Sequence, residues 1–435
     1  MTVRVLEKGM KLRMETIKTI DKLDKRQKKY LKKKFGIKAY KDLTPTILKN
    51  LKEACKELTD SRETGKKIYK IWDIVSCVVI SVLCGQKTWE DIHDFVIEKK
   101  QFFKKFLKMT GGVPCAKTYE RVMAIIDYKE LEKILKRFFF DITTNLMEEI
   151  DIVNIDGREC RGSKRKKTVK QEGCIPLNML NVYSNKYGLC ICSTTIAEKA
   201  EEMITVRDII PTLQLKDTVI TWDALNTQKE NVEAVVAAFA HYVVPIKRNH
   251  PTFHEELKLF FDTEEQECII AGKTNTGYKK NIEYRNGSSI VYEYFQTTEI
   301  GWFQEKDKWK NLRSIGMVKT TKETGEETMI EYRYFISDLD IDIELFALAI
   351  RKHWSVENKL HWHLDVTFSL DKNKTKNKQA LANLEIIHKF NLGLLERVQK
   401  YYGISKHRIM NKINLNIEEN FPEFIALLTL PDGKV

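Results

Sequence analysis

Between Asp151 and Lys247 two short β-branched runs each stop on an aspartate, and the order of elements around them leaves few folds open. DIVNID (Asp151–Asp156) is followed at once by Gly157, the pattern of a strand that ends on its acid. PLNMLNVYS and YGLCICSTTI come next with SNKYG between them, which reads as a hairpin. Glu198–Leu213 carries apolar positions at helical spacing, and DTVITWDA (Asp217–Ala224) is another strand finishing on an acid. A helix over Thr227–Tyr242 then leads to a last strand, VVPIK. Strands joined by tight turns pair antiparallel, whereas a strand reached through a helix can pair parallel. If the fourth strand lies beside the first, Asp156 and Asp223 become neighbours.

That order is the layout of a ribonuclease-H-like sheet, so the expected fold class is α/β. From Cys268 to Leu339 the chain turns rich in Tyr, Ile, Thr and Val with glycine turns, a β-rich segment of about 262–340 inserted into the core. After it comes the densest group of acids, imidazoles and tryptophans, IRKHWSVENKLHWHLDVTFSLD from Ile350 to Asp371. His353, Glu357, His361 and Asp365 recur every four residues, which puts all four on one face of an α-helix.

Two readings of that face compete. Histidines flanking a glutamate could hold zinc, but a helical zinc site of the usual kind has Glu directly after the first His, where this chain has Trp354. Phosphodiester chemistry instead asks for carboxylates around a pair of divalent ions, and Mg²⁺ prefers oxygen donors. Asp156, Asp223 and Glu357 supply such a set, with His361 and Asp365 behind it as supporting groups. Each aspartate alone would also pass as a turn residue at a strand end.

Charge points to a polyanionic partner. The net charge is +13, and residues 1–60 hold 18 Lys and Arg against 8 Asp and Glu, supplying +10 of it. GRECRGSKRKK, directly after the first acid, offers Arg158, Arg161, Lys164, Arg165, Lys166 and Lys167 to phosphates, and Lys247 and Arg248 repeat the pattern after VVPIK. Met1–Lys11 is too charged for a secretory signal, and Trp72–Cys84 is too short for a membrane span and reads as a buried helix. Nine irregularly spaced cysteines fit a reducing, cytoplasmic setting.

Four regions are expected. Residues 1–60 form a basic helical extension, and 61–149 a helical domain with segments Tyr69–Cys84, Thr88–Met109, Cys115–Ile126 and Lys129–Glu149. The catalytic domain spans 150–400 and closes on a leucine-striped helix, Gln379–Tyr402, leaving 401–435 as a C-terminal tail. Thr88 with Asp91 three residues on is an N-cap pattern.

With these residues in place, the chain resembles the insertion-sequence transposases of the ISAs type, also called H-repeat-associated proteins. The resemblance runs over roughly residues 60–400, through DSRETGKKIYKIWDIVSCVVISVLCGQKTWEDIHDF, GGVPCAKTYERVM, NIDGRECRGS, TWDALNTQ, YVVPIKRNHPTF, RYFISDL and IRKHWSVENKLHWHLDVTF. It implies a ribonuclease-H-like core with an inserted β-rich segment behind an N-terminal helical domain, and two Mg²⁺ (or Mn²⁺) ions. It also implies cleavage and joining of double-stranded DNA at terminal inverted repeats and at a target. The acids of its DDE triad fall on Asp156, Asp223 and Glu357. Relatives often carry Arg four residues before this Glu; here His353 stands there, so Arg351 and His353 are the expected phosphate contacts, and Leu370 replaces the first of an acidic pair. A homodimer on nucleoid DNA would follow from joining two ends. A structure-specific nuclease that never joins strands, or a transposase decayed to DNA binding alone, remain the alternatives.

Overall fold

The computed structural model describes residues 42–143, 150–164, 175–197, 201–285 and 287–430, together with residues 29, 33 and 34. Most of the basic extension, the loop residues Arg165, Lys166 and Lys167, and the first residues of the Glu198–Leu213 segment therefore lie outside it.

The described residues form a mixed α/β structure around one nine-stranded sheet, ordered β3-β2-β1-β4-β5-β9-β8-β7-β6. β1 (Ile152–Cys160), β2 (Leu177–Ser184) and β3 (Leu189–Ile196) make the antiparallel meander. The chain then crosses through α7 (Glu202–Ile209) and adds β4 (Val219–Trp222) parallel to β1, with Ile155 opposite Trp222. The first strand does not end on its acid as expected but runs on to Cys160 against β2; its parallel pairing with β4 is what stops, at Ile155, so Asp156 and Asp223, the next residue along each chain, come side by side where the two strands part. Helix α8 (Lys229–Ala237) carries the chain to β5 (His241–Ile246), parallel to β4. The helix stops short of the expected Tyr242 because Phe239 adopts a left-handed φ of 57° and β5 has begun by His241.

The β-rich insertion extends this sheet instead of forming one of its own. After α9 (Pro251–Phe260) and α10 (Thr263–Ile270) come β6 (Thr276–Arg285), β7 (Ser288–Thr297), β8 (Ser314–Thr324) and β9 (Glu327–Ser337), and β9 pairs antiparallel with β5 from Val243↔Ser337 to Ile246↔Tyr334. The paired end is buried; the far end of β9, from Glu327 to Tyr332, stands exposed.

Alternation along β1 separates two faces. Val153 and Ile155 enter a core with Val206 and Ile209 of α7 and Val232 and Val235 of α8. Asn154, Asp156 and Arg158 point to the other side. There the N-terminal helices α1 (Leu43–Cys55), α2 (Ile71–Leu83), α3 (Trp89–Glu98), α4 (Lys100–Lys104), α5 (Ala116–Met123) and α6 (Tyr128–Ile142) share a core with α12 (Lys378–Tyr402), α13 (Lys406–Leu415) and α14 (Ile417–Thr429). The stretch read as a C-terminal tail thus includes two packed helices; Phe421, Phe424 and Leu427 lie in the same core as Leu48 and Leu51. Helix α2 is buried on nearly every face, from Ile71 to Leu83, as its unbroken apolar run requires. No helix among the described residues is long and apolar enough to cross a membrane. Thr88 caps α3 through a full capping box with Asp91, and the expected single helix Thr88–Met109 breaks at Lys99. Leu370 is 1% exposed and packs in the helical core.

Candidate active site

The stretch from Ile343 to Thr367 is one rod with two kinds of turn. Asp342 caps helix α11 (Ile343–His353) through the amide of Leu345, and beyond it Val356–His361 and His363–Thr367 wind as π turns. Phe368 N donates to His363 O, five residues back, which marks the wider turn. The expectation of a continuous α-helix is corrected here. A spacing of four overshoots an α turn of 3.6 residues and undershoots a π turn, so the two drifts offset and the stripe stays over the sheet edge.

Three members of the stripe meet partners, each a different one. Nε2 of His353 lies 3.3 Å from Asp223 Oδ1, and its Nδ1 lies 3.1 Å from Thr221 Oγ1. One turn on, Glu357 is exposed at the same edge. Nδ1 of His361 faces Asp156 Oδ2 at 3.3 Å. Asp365 pairs with Arg158. The glutamate is therefore flanked on both sides by a histidine, each set against one of the two aspartates.

The carboxyl groups act on one another. Burial pushes the Asp156 carboxyl up to about 8, and the charges of Asp223, Glu202 and Glu357 push it the same way. Glu202 is the residue the sequence reading missed. It stands among look-alikes in AEKAEEM, yet with Val206 and Ile209 it occupies the buried face of α7, a position where a glutamate is out of place. That mismatch was the available signal.

Behind Asp156 runs a buried polar chain. Lys389 Nζ donates to Asn181 Oδ1 at 2.5 Å, which turns the amide nitrogen of Asn181 toward His361 Nε2 at 3.1 Å. Burial, with the positive charges of Arg158 and Lys389, pushes His361 down to about 3, so the ring is neutral. Since Asn181 donates to Nε2, the ring hydrogen belongs on Nδ1, the ring nitrogen that lies 3.3 Å from Asp156 Oδ2.

The basic residues divide. Arg158 is corrected as a phosphate contact: it is 6% exposed, and its guanidinium is tied to Asp365 and to Glu385 Oε2 at 3.1 Å. A strand alternates faces, and position 158 falls on the face that α12 covers. Arg351 pairs with Glu283 and lies over the Tyr292 ring at 5.4 Å, joining α11 to the insertion. Arg161 and Lys164 are exposed, on a turn where Gly162 lies tight against the backbone of Asp371 and Asn373. Lys247 and Arg248 are exposed beyond β5; Asn249 and His250 bond to Ala224 O at 2.7 Å and Thr227 O at 2.6 Å, pinning their loop beside the turn after Asp223.

Among the described residues no three His, Cys, Asp or Glu side chains converge into a finished metal cage. The donors nonetheless suit a hard cation. They are carboxylates gathered at one edge, whose mutual repulsion shows in the raised Asp156 and is relieved by positive charge.

Known proteins agree with this picture. A family model described as "Transposase DDE domain" matches residues 148–390, and one described as "DDE_Tnp_1-associated" matches residues 52–139. "Putative transposase YncI" of Escherichia coli O157:H7 is 28% identical over 367 residues, covering 82% of this chain and 90% of that protein. "H repeat-associated putative transposase YhhI" of Escherichia coli strain K12 is 27% identical over 375 residues, covering 84% and 95%. Among solved structures, a piggyBac transposase in a synaptic complex with hairpin DNA matches over 93% of this chain and 82% of its own, at 10% identity and a TM-score of 0.37, too loose a likeness to argue from.

Proposed function

This chain belongs to the transposase DDE-domain family and is a transposase, a polynucleotidyl transferase or endonuclease, and we propose that it works through Asp156, Asp223 and Glu357 on a ribonuclease-H-like core. The observation that supports the assignment is the register of β1 and β4, in which Asp156 and Asp223 each follow the last parallel pair, Ile155↔Trp222. These three would hold two divalent ions, Mg²⁺ or Mn²⁺. When bound, such ions supply activation of the attacking oxygen and neutralisation of charge on the leaving oxygen.

The protein's own part is holding and orienting. His361 sets its Nδ1 against Asp156, and His353 holds Asp223 from the other side. Water attacks the phosphorus at the element's end and the bond to the 3′ oxygen breaks, leaving a 3′ hydroxyl. That hydroxyl then attacks a target phosphodiester in line, so one bond forms as another breaks. Lys247 and Arg248, with Arg161 and Lys164, flank the acids and contact DNA phosphates. The substrate is double-stranded DNA with terminal inverted repeats together with target DNA, engaged by a homodimer at the nucleoid. Residues 61–149 act as the family-associated helical domain, and 150–400 as the catalytic domain.

A purified protein given labelled element ends, a supercoiled target and Mg²⁺ should link the labelled 3′ end to the target. Cleavage without linkage would replace transposition by a nuclease reading, and DNA binding without either would leave a decayed copy. Reversing Lys247 and Arg248 to glutamate together should weaken DNA binding and flatten its salt dependence, by about 0.9 in log–log slope for each phosphate no longer neutralised. An unchanged slope in a titration against salt would remove both residues from the interface.

A further inference from the structure

Asp156, Asp223 and Glu357 meet on one face of the sheet; Glu202 comes to them from the other. It opens α7, whose Val206 and Ile209 pack in the core on the side away from Glu357. At 6% exposure its carboxylate is nearly out of water, an expensive placement for a charge that needs a partner.

Among the described residues, a hydrogen-bond partner is found for one oxygen only. Asn226 Nδ2 donates to Oε1 at 2.8 Å, and Asn226 belongs to the turn directly after Asp223. Asn226 is itself held, since Asn231 Nδ2 donates to its carbonyl at 2.9 Å. The second oxygen, Oε2, lies over the residue directly after Asp156: a Cβ added at Gly157 would sit 2.6 Å from it. Glu202 therefore reaches both the residue after Asp156 and the turn after Asp223. Among the described residues, no Lys or Arg pairs with it. Gly157 has a reason to be glycine that its backbone does not supply, because a side chain there would displace Oε2.

We propose that Glu202 is a fourth carboxylate of the divalent-ion site, closing it from the opposite face of the sheet, and that Gly157 keeps its free oxygen within reach. The inference rests on the reading of Asp156, Asp223 and Glu357 given above. Charge balance assigns it a role. Two doubly charged ions are balanced by three carboxylates only once the scissile phosphate has arrived; a fourth balances them beforehand. Glu202 thus lets the protein take up its ions before DNA.

The test is Mn²⁺ binding to the full-length protein without DNA, followed by electron paramagnetic resonance. Glu202→Gln keeps an oxygen for Asn226 but loses the charge, and it should weaken Mn²⁺ binding by about ten- to a hundredfold. Gly157→Ala, which changes no charge, should do the same by displacing the carboxylate, and it serves if Glu202→Gln fails to fold. Glu202→Asp should restore part of the affinity. Normal Mn²⁺ binding by folded Glu202→Gln or Gly157→Ala, with only a lowered melting temperature, would make Glu202 a structural residue and overturn the proposal. Asp223→Ala separates the two levels: if it too binds Mn²⁺ normally, the triad assignment fails; if it alone loses Mn²⁺, only the role of Glu202 fails.

Discussion

Replacing Asp223 by alanine should lower Mg²⁺-dependent DNA cleavage by about a thousandfold or more while leaving the protein about as stable as before. The expected loss follows from the proposed ion-binding role: charge stabilisation worth several kcal/mol would depend on the carboxylates holding the ions, and each 1.36 kcal/mol or so is a factor of ten. The unchanged stability follows from position. The Asp223 side chain is 58% exposed and stands among other acids, so its removal relieves repulsion while costing His353 a neighbour. Surface changes of this kind stay within about 0.5 kcal/mol. A gel assay of a labelled element end, paired with a melting curve, reads both quantities. Cleavage at the unaltered rate would remove Asp223 from the site, and a collapsed melting curve would show that it is structural.

The second large effect is on stability. Glu385→Ala should cost about 3–5 kcal/mol, seen as a lowered urea midpoint, because removing one partner of a buried ion pair strands the others. Glu385 is fully buried on α12; Lys389 Nζ lies 2.8 Å from its Oε1, Arg158 Nη1 lies 3.1 Å from its Oε2, and Cys160 Sγ donates to the same oxygen at 2.7 Å. Burial alone would raise this carboxyl, but Lys389 and Arg158 override it and hold it down at about 2. A carboxyl lowered by folding stabilises above its unfolded value of about 4.3, and that contribution is lost as pH falls through the folded value. Acid between about pH 4 and 2 should therefore erode the unaltered protein more than the alanine variant. A midpoint that moves by less than about 0.5 kcal/mol would show the network to be dispensable.

This network also explains why the basic run after Asp156 could not be read as one unit. Arg158, Arg161 and Lys164 look alike in sequence, and nothing local says that position 158 faces α12 while 161 and 164 turn outward. Burial of a charge is settled by what packs over it, and the covering residues are more than two hundred positions away. The same holds for Arg351, whose partner Glu283 comes from the insertion. Local patterns fared better. The capping box at Thr88, the hairpin through Asn185 and the buried helix over Ile71–Leu83 depend on neighbours in the chain, and each appears where its pattern placed it.

Periodicity determined the alternation of strands and helices around Asp156 and Asp223, and a spacing of four determined which polar residues share a face. Both arise from backbone geometry and are written in consecutive residues. Only the tertiary structure decided how the acids meet: the parallel register that sets Asp156 beside Asp223, the π turns that keep His353, Glu357 and His361 over that edge, and the arrival of Glu202 from the far side of the sheet. Those are contacts between elements distant in the chain, fixed by packing and by the partners each buried charge requires, and no run of neighbouring residues encodes them.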